Sequence, residues 1–388
     1  MQLKEFLQQQ KEYLQKNNLW RSRRVVWSGS TTEINLAGKK YLNFSSNNYL
    51  GLANHPEVKQ AAIAAVSELG TGAGASRLIS GNLLIQQVLE EKIARLKNTE
   101  AALVFPTGYQ TNIGTITALV GSSDVIFIDE LNHASIIDAA KLSRAKIIPY
   151  RHCDYSDLEK KLKLYQSRFG HSLIVTDSLF SMDGDIADLK KIVWLAKKYD
   201  CWTMIDEAHA TGIFAKNGGG IAEEQNCTAE IDILMGTLSK AIGSQGGFIA
   251  GQKSLIDFIY QKSRSFIYTT GLNPASCGAA IKAIEIIESE PDRRRKLLAN
   301  AENLRKKIAG LGYSIGNSQS QIIPVIIGNR EPTIRISEKL FFQKNIFLPA
   351  IRPPTVPTDR CRLRISLSSE HTEQQINYLV ESLKEIRE

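Results

Sequence analysis

The chain has 388 residues, 43% of them hydrophobic and 23% charged. This is ordinary globular composition, and it excludes a collagen-like, disulfide-scaffold or wholly disordered chain. Lys and Arg number 48 against 40 Asp and Glu, a net charge of +8 that permits an anionic partner without choosing one.

At the N-terminus, Leu3, Leu7 and Leu14 fall on one helical face with Phe6 alongside, which predicts a short amphipathic helix. The segment has no apolar core run, and Glu5 and Glu12 are acids that a transit peptide avoids, so no targeting leader is expected. From about residue 100 short apolar runs alternate with helix-like stretches. The runs are 101–105, 124–129, 146–150, 172–177, 201–206, 233–237 and 247–251. They are rich in Val and Ile and most lack polar alternation, as strands buried on both faces do. With helices such as 188–198 between them, they predict an α/β fold with a mainly parallel seven-stranded sheet.

Beyond about residue 270 the pattern changes. A long helix over 274–311 is expected, then short strands at 321–327, 346–351 and 361–367, with helices at 333–344 and 372–387. This reads as a smaller C-terminal α+β domain. The division expected is 1–50 for an N-terminal helix and segment, 51–270 for the large domain and 271–388 for the small one. No run approaches the ~18 apolar residues of a membrane span, so no membrane partner is expected. The cysteines, Cys153, Cys201, Cys227, Cys277 and Cys361, are scattered and never form CxxC. They fit reduced thiols in a cytoplasmic protein.

Small and polar residues gather where the large-domain strands end, the edge at which open α/β sheets bind ligands. Lys240, in GTLSKAIGSQGG, follows a buried strand. Most lysines are surface residues, but a helix start disfavours an ordinary cation. Thr237 and Ser239 beside it offer hydroxyls to a phosphate. Asp206 closes another strand, and a buried carboxylate needs a partner: a pyridinium nitrogen, an arginine or a metal. His209 lies three residues on, as a loop histidine or a second ligand. No HExxH or Cys/His cluster accompanies the pair, so no metal is expected. Gly108 and Tyr109 open a helix after a strand, where backbone N–H groups can bind an anion. His133 lies beyond a further strand end and offers a flat ring for stacking. A lysine, an acid, flat side chains and a phosphate cradle on one edge are what pyridoxal 5′-phosphate needs.

The stretches NFSSNNYLGL, GTGAGASRLISGN, GYQTN, LNHASIIDA, DSLFSMDGD, IDEAHATG, TLSKAIGSQGG and YTTG resemble those of the α-oxoamine synthase family of fold-type I pyridoxal-phosphate enzymes. The resemblance runs from about residue 20 to 370. It implies that Lys240 forms the Schiff base with the cofactor, Asp206 partners the pyridine nitrogen, His209 bonds the ring oxygen and His133 stacks over the ring. Lys240, His133 and Asp206 would be catalytic. Gly108, Tyr109, Thr237 and Ser239 would hold cofactor or phosphate, and Ser181 would line the ring site. Thr269 and Thr270 match a segment that reaches the phosphate held by the partner subunit, which implies a homodimer.

The segment AIRPPTVP, 350–357, resembles the biotin-pathway branch, which condenses L-alanine with pimeloyl-CoA or pimeloyl-acyl carrier protein. Arg21, with Arg23 and Arg24 beside it, and Thr355, Asn47 and His133 would meet the substrates. A glycine C-acetyltransferase or a serine palmitoyltransferase-like enzyme is the alternative within the family. Gln110 and Asn48 depart from the family's commoner residues. A nucleic-acid partner is not expected, because the basic cluster Arg293–Lys296 follows Glu288, Glu290 and Asp292 as a solvated helical face would.

Overall fold

The structure is a computed structural model and describes residues 1–387. Contacts divide it into two units. The larger comprises Asn47–Ser181 and Asp185–Leu298. Its core is a seven-stranded sheet. The strands are β1 (Ala101–Phe105), β2 (Val125–Asp129), β3 (Lys146–Tyr150), β4 (Ser172–Asp177), β5 (Trp202–Asp206), β6 (Ile233–Thr237) and β7 (Gly247–Gly251). They lie in the order β1-β7-β6-β5-β4-β2-β3, with β7 alone antiparallel to its neighbours.

β2, β4, β6 and β7 are buried along their whole length, which is why their sequences are continuous apolar runs without alternation. One layer of the core packs Leu103, Phe105, Ile126, Leu173, Met204 and Ile249 against Ile116, Ile136 and Phe266 from covering helices. Strand register sets Asp177 opposite Asp206, and Asp206 opposite Met235. The carboxyl ends of β4, β5 and β6 are therefore side by side.

The smaller unit comprises Met1–Ser46, Met182–Gly184 and the chain from Ala299 on. It holds two three-stranded sheets. In one, Lys39–Asn43 lies between Glu33–Leu36 and Ile346–Phe347. In the other, Cys361–Ser366 lies between Ile322–Gly328 and Ala350–Ile351, antiparallel to both. Arg362, almost wholly buried in the central strand, is satisfied by the Asp183 carboxylate at 2.6 Å and by the Met182 carbonyl. That pair accounts for the inclusion of Met182–Gly184 in this unit.

Three expectations are corrected. The division at residue 271 fails, because helix Pro274–Ser289 belongs to the larger unit and residues 1–46 to the smaller. The single helix over 274–311 is two, Pro274–Ser289 and Pro291–Gly310. Glu290 between them leaves the helical region (φ −116°, ψ 62°), as a residue before proline tends to. The strand over 346–351 is likewise two short pieces in different sheets, separated at Leu348-Pro349. The N-terminal helix forms over Leu3–Lys16, but none of its residues is buried. No helix among the described residues is long and apolar enough to cross a membrane.

Candidate functional site

A cavity of about 260 Å³ opens in the larger unit at the carboxyl edge of the sheet. Thr107, Gly108, Tyr109 and Asn112 line it from one helix start, and His133 and Ser135 from another. Asp177, Asp206, Ala208, His209, Met235, Thr237, Ser239 and Lys240 complete the lining. Every lysine, acid, histidine and hydroxyl proposed from the large-domain strand ends is thus present, apart from Ser181.

The anion-binding side comes from helix Gly108–Leu119. The Thr107 hydroxyl caps it by accepting from Gln110 N–H at 3.1 Å. The first N–H groups of a helix have no partner inside it, so those of Gly108 and Tyr109 are placed for an anion. The helix start sits hard against the sheet. A Cβ on Gly247 would lie 2.6 Å from Gly108 Cα, and one on Gly108 would lie 3.2 Å from Met235 Cε. Thr237 Oγ1 and Ser239 Oγ are 2.8 Å apart and add two hydroxyls to this end. Tyr109 is half-exposed, and its hydroxyl donates to Asp138.

Asp206, 4% exposed, is fixed by Asn112 Nδ2 on one oxygen and Ala208 N–H on the other, both at 2.9 Å. Asn112 also donates to Ser135 Oγ at 2.8 Å, and its own Oδ1 is buried without a partner. Asp177 is also 4% exposed. Burial first, then the charge of Asp206, pushes the Asp177 carboxyl well above the usual range. Its proton is therefore held more tightly than that of an ordinary aspartate. Asp177 accepts from His133 N–H at 2.9 Å and so sets the start of helix Ala134–Ser143. The His133 ring takes a hydrogen bond from Ser135 N–H at Nδ1. Desolvation holds its pKa below the ordinary value, so the ring is neutral near pH 7.

His209, 5% exposed, approaches Lys240 with Nε2 to Nζ at 2.9 Å. The turn carrying Asp206 and His209 is anchored from beneath. Lys97, on helix Leu84–Lys97, donates to Glu207 Oε2 at 2.7 Å and to Thr211 Oγ1 at 2.8 Å, and both ionised side chains are at most 1% exposed.

Other expected residues lie elsewhere. Ser181 is half-buried in the turn after β4, outside the cavity lining. Asn47 accepts from Tyr49 hydroxyl at 3.0 Å. Thr269 and Thr270 are outside the lining too, and Thr270 is bridged to Ser76. Arg21 and Thr355 are in the smaller unit. There Arg21, Trp20, Arg24, Phe341 and Arg352 line a second cavity of about 660 Å³, and Thr355 is not part of its wall. Asn112, Ser135, Glu207 and Tyr49 were not singled out for the site from sequence, although each sits inside or beside a quoted motif.

A further cluster stands apart from this cavity. His152 is held between Asp129 at 3.0 Å and Asp185 at 2.6 Å. Burial opposes its charge, but the bonds to Asp129 and Asp185 win and push its pKa up to about 12.

The cavity fits pyridoxal phosphate. An anion site, a buried acid and a lysine line one space, and the partnerless Asn112 Oδ1 leaves polar capacity at its wall.

The profile of the aminotransferase class I and II family matches residues 39–383. The chain is 45% identical over 375 residues to an 8-amino-7-oxononanoate synthase of Lysinibacillus sphaericus, covering 97% of this chain and 96% of that one. Among solved structures, the serine palmitoyltransferase of Sphingomonas wittichii superposes with a TM-score of 0.92 at 30% identity, covering 98% and 96%. A serine palmitoyltransferase from S. paucimobilis with bound PLP does so with a TM-score of 0.92 at 28% identity and the same coverage. The chain therefore belongs to the aminotransferase class I and II family, as a pyridoxal-phosphate-dependent acyltransferase of its α-oxoamine synthase branch.

Proposed function

We propose that the chain condenses L-alanine with a pimeloyl thioester, releasing CO2 and the thiol and giving 8-amino-7-oxononanoate. The observation that carries this reading is the 45% identity, over nearly the whole chain, to an enzyme named for that product. When bound, pyridoxal phosphate supplies an aldehyde for the amino acid and a ring that withdraws electrons from its Cα.

The chain's residues do the rest. The amides of Gly108 and Tyr109, with the Thr237 and Ser239 hydroxyls, hold the phosphate. Asp206, fixed by Asn112 and Ala208, is the anion that keeps a proton on the pyridine nitrogen. Lys240 Nζ would hold the cofactor aldehyde and, as a free amine, would be the base that takes the proton from the alanine Cα. His133, which lines the same cavity, would stack on the ring and could move a proton during loss of CO2. Ser181 and His209 meet the ring's polar edge. Arg21, Asn47 and Thr355 meet the substrates, and the arginines of the second cavity suit an acyl chain that ends in a carboxylate. The enzyme is a cytoplasmic homodimer in which Thr269 and Thr270 reach the phosphate held by the partner subunit.

A second reading, transfer of a longer acyl group to serine, is supported by the superposition on serine palmitoyltransferase. A substrate panel separates the two. Alanine, glycine and serine are each offered with pimeloyl-CoA, pimeloyl-acyl carrier protein, acetyl-CoA and palmitoyl-CoA, and CO2 and product mass are followed. Turnover with alanine and a pimeloyl donor is expected. Turnover confined to serine with palmitoyl-CoA, or to glycine with acetyl-CoA, would overturn the proposal.

A further inference from the structure

The segment Asn47–Asn54 comes to the lysine turn through a close backbone approach. Gly243, three residues after Lys240, has φ +71°, and a Cβ there would lie 2.3 Å from Ala53 N. Only a glycine allows both the left-handed conformation and that contact. The segment itself is a tight turn. Tyr49 N–H bonds Asn47 carbonyl at 2.8 Å, and Ala53 N–H bonds Asn48 Oδ1 at 3.1 Å.

Through this packing Tyr49, with no exposed surface, delivers its hydroxyl to within 2.7 Å of His209 Nδ1. A continuous chain of polar atoms results. Asn47 Oδ1, Tyr49 hydroxyl, His209 Nδ1, His209 Nε2 and Lys240 Nζ succeed one another, with contacts of 3.0, 2.7 and 2.9 Å across the three gaps.

Across these three contacts, proton counting favours one direction. A tyrosine hydroxyl has one proton to donate, an amide oxygen only accepts, and a neutral imidazole donates from one nitrogen and accepts at the other. If Tyr49 donates to Asn47, its oxygen accepts from His209 Nδ1–H. His209 Nε2 then carries the lone pair and accepts from Lys240. All three contacts are satisfied together. In the opposite arrangement Tyr49 donates to Nδ1, the Asn47 contact loses its proton, and His209 turns an N–H toward the lysine.

We propose that Tyr49 is a positioning residue for Lys240: held by Asn47, its hydroxyl fixes the His209 tautomer so that the Nε2 lone pair faces Lys240 Nζ. The inference rests on the proposed role of Lys240 and is independent of which amino acid and acyl donor react. The Tyr49 hydroxyl meets His209 Nδ1 and acts on Lys240 through the imidazole.

The test reads the ring directly. Full-length protein labelled with 15N-histidine is freed of cofactor, and the His209 signals are assigned by their loss in His209→Gln. Protonated Nδ1 with unprotonated Nε2 is expected. The reverse tautomer, or an imidazolium, would overturn the proposal whatever Tyr49 variants do. Tyr49→Phe keeps the buried ring and removes only the hydroxyl. In it the two tautomers should mix, and in the reloaded enzyme the pH midpoint of the visible band should move. Its kcat should fall about two- to tenfold, the worth of one hydrogen bond, with KM for the amino acid unchanged. Unaltered ring signals, band and kcat in Tyr49→Phe would equally sink it. Loss of the substrate assignment would leave these readouts intact, so the two failures are distinguishable.

Discussion

Asp177 and Asp206 end neighbouring parallel strands in register, and both are buried. Their surroundings separate them. Asp206 receives two hydrogen bonds at its carboxylate, whereas burial and the charge of Asp206 raise the pKa of the Asp177 carboxyl. The same substitution should therefore have opposite outcomes at the two positions. Asp177→Asn keeps an acceptor for His133 N–H and removes a carboxyl whose charged form burial already disfavours, so kcat should stay within about threefold. Asp206→Asn removes the anion proposed to partner the pyridine nitrogen, and turnover should fall by about 10² or more, on the scale of losing an acid–base group. Steady-state kinetics of the two variants checks this contrast. His152 offers a residue-scale test by pH. Its folded pKa is raised from 6.5 to about 12. Its stabilisation is full below pH 6.5 and is lost progressively as pH climbs from 6.5 through about 12. Stability of the protein should therefore fall with pH across this window, and His152→Asn should flatten that part of the curve in denaturant titrations.

Strands, turns and helix starts decide which residues can meet. Most of the seven strand runs are legible in the sequence because burial on both faces removes polar alternation, as it does fully in β2, β4, β6 and β7. The lysine, acid and histidines are legible because they come directly after those runs. What escaped has a physical reason in each case. Strand Lys39–Asn43 is exposed over its first residues, so it carries little apolar signal. Asn112 is one turn into a helix, where only the third dimension brings it to Asp206. Tyr49 reaches His209 across 160 positions of chain. Glu207 reads as an exposed acid but is wholly buried because Lys97 pairs with it from another helix. That pair anchors the Asp206–Thr211 turn, and breaking it leaves an uncompensated buried charge. Lys97→Met should cost about 3–5 kcal/mol in urea unfolding. The double replacement Lys97→Met, Glu207→Leu should recover part of that loss.

Across the whole molecule, the charge of +8 has a narrower meaning than composition allows. Two specific places are proposed to receive anions: the helix start at Gly108 and the cavity lined by Arg21, Arg24 and Arg352. Acyl thioester donors are anionic, so KM for the donor should rise with added salt while kcat changes little, as screening of a surface attraction requires. The proposed dimer should sediment at twice the 43.1 kDa chain mass. At this scale the sequence pattern conveyed two architectures, an α/β sheet and a smaller α+β unit. It misplaced their boundary because helix composition does not say which core a helix covers. Helix Pro274–Ser289 packs on Pro56–Leu69, as the close approach of Gly278 to Ala61 and Ala65 requires, and so belongs with the larger sheet.

In the proposed enzyme one lysine, Lys240, holds the cofactor in a cavity whose other walls serve its ring and phosphate. The most direct measurement is reduction of the coloured enzyme with borohydride, digestion, and mass spectrometry of the pyridoxyl-bearing peptide. A single adduct on Lys240, lost in Lys240→Ala together with turnover, is the predicted result. An adduct on a different lysine, or a Lys240→Ala protein that keeps its reducible colour and normal activity, would contradict the account.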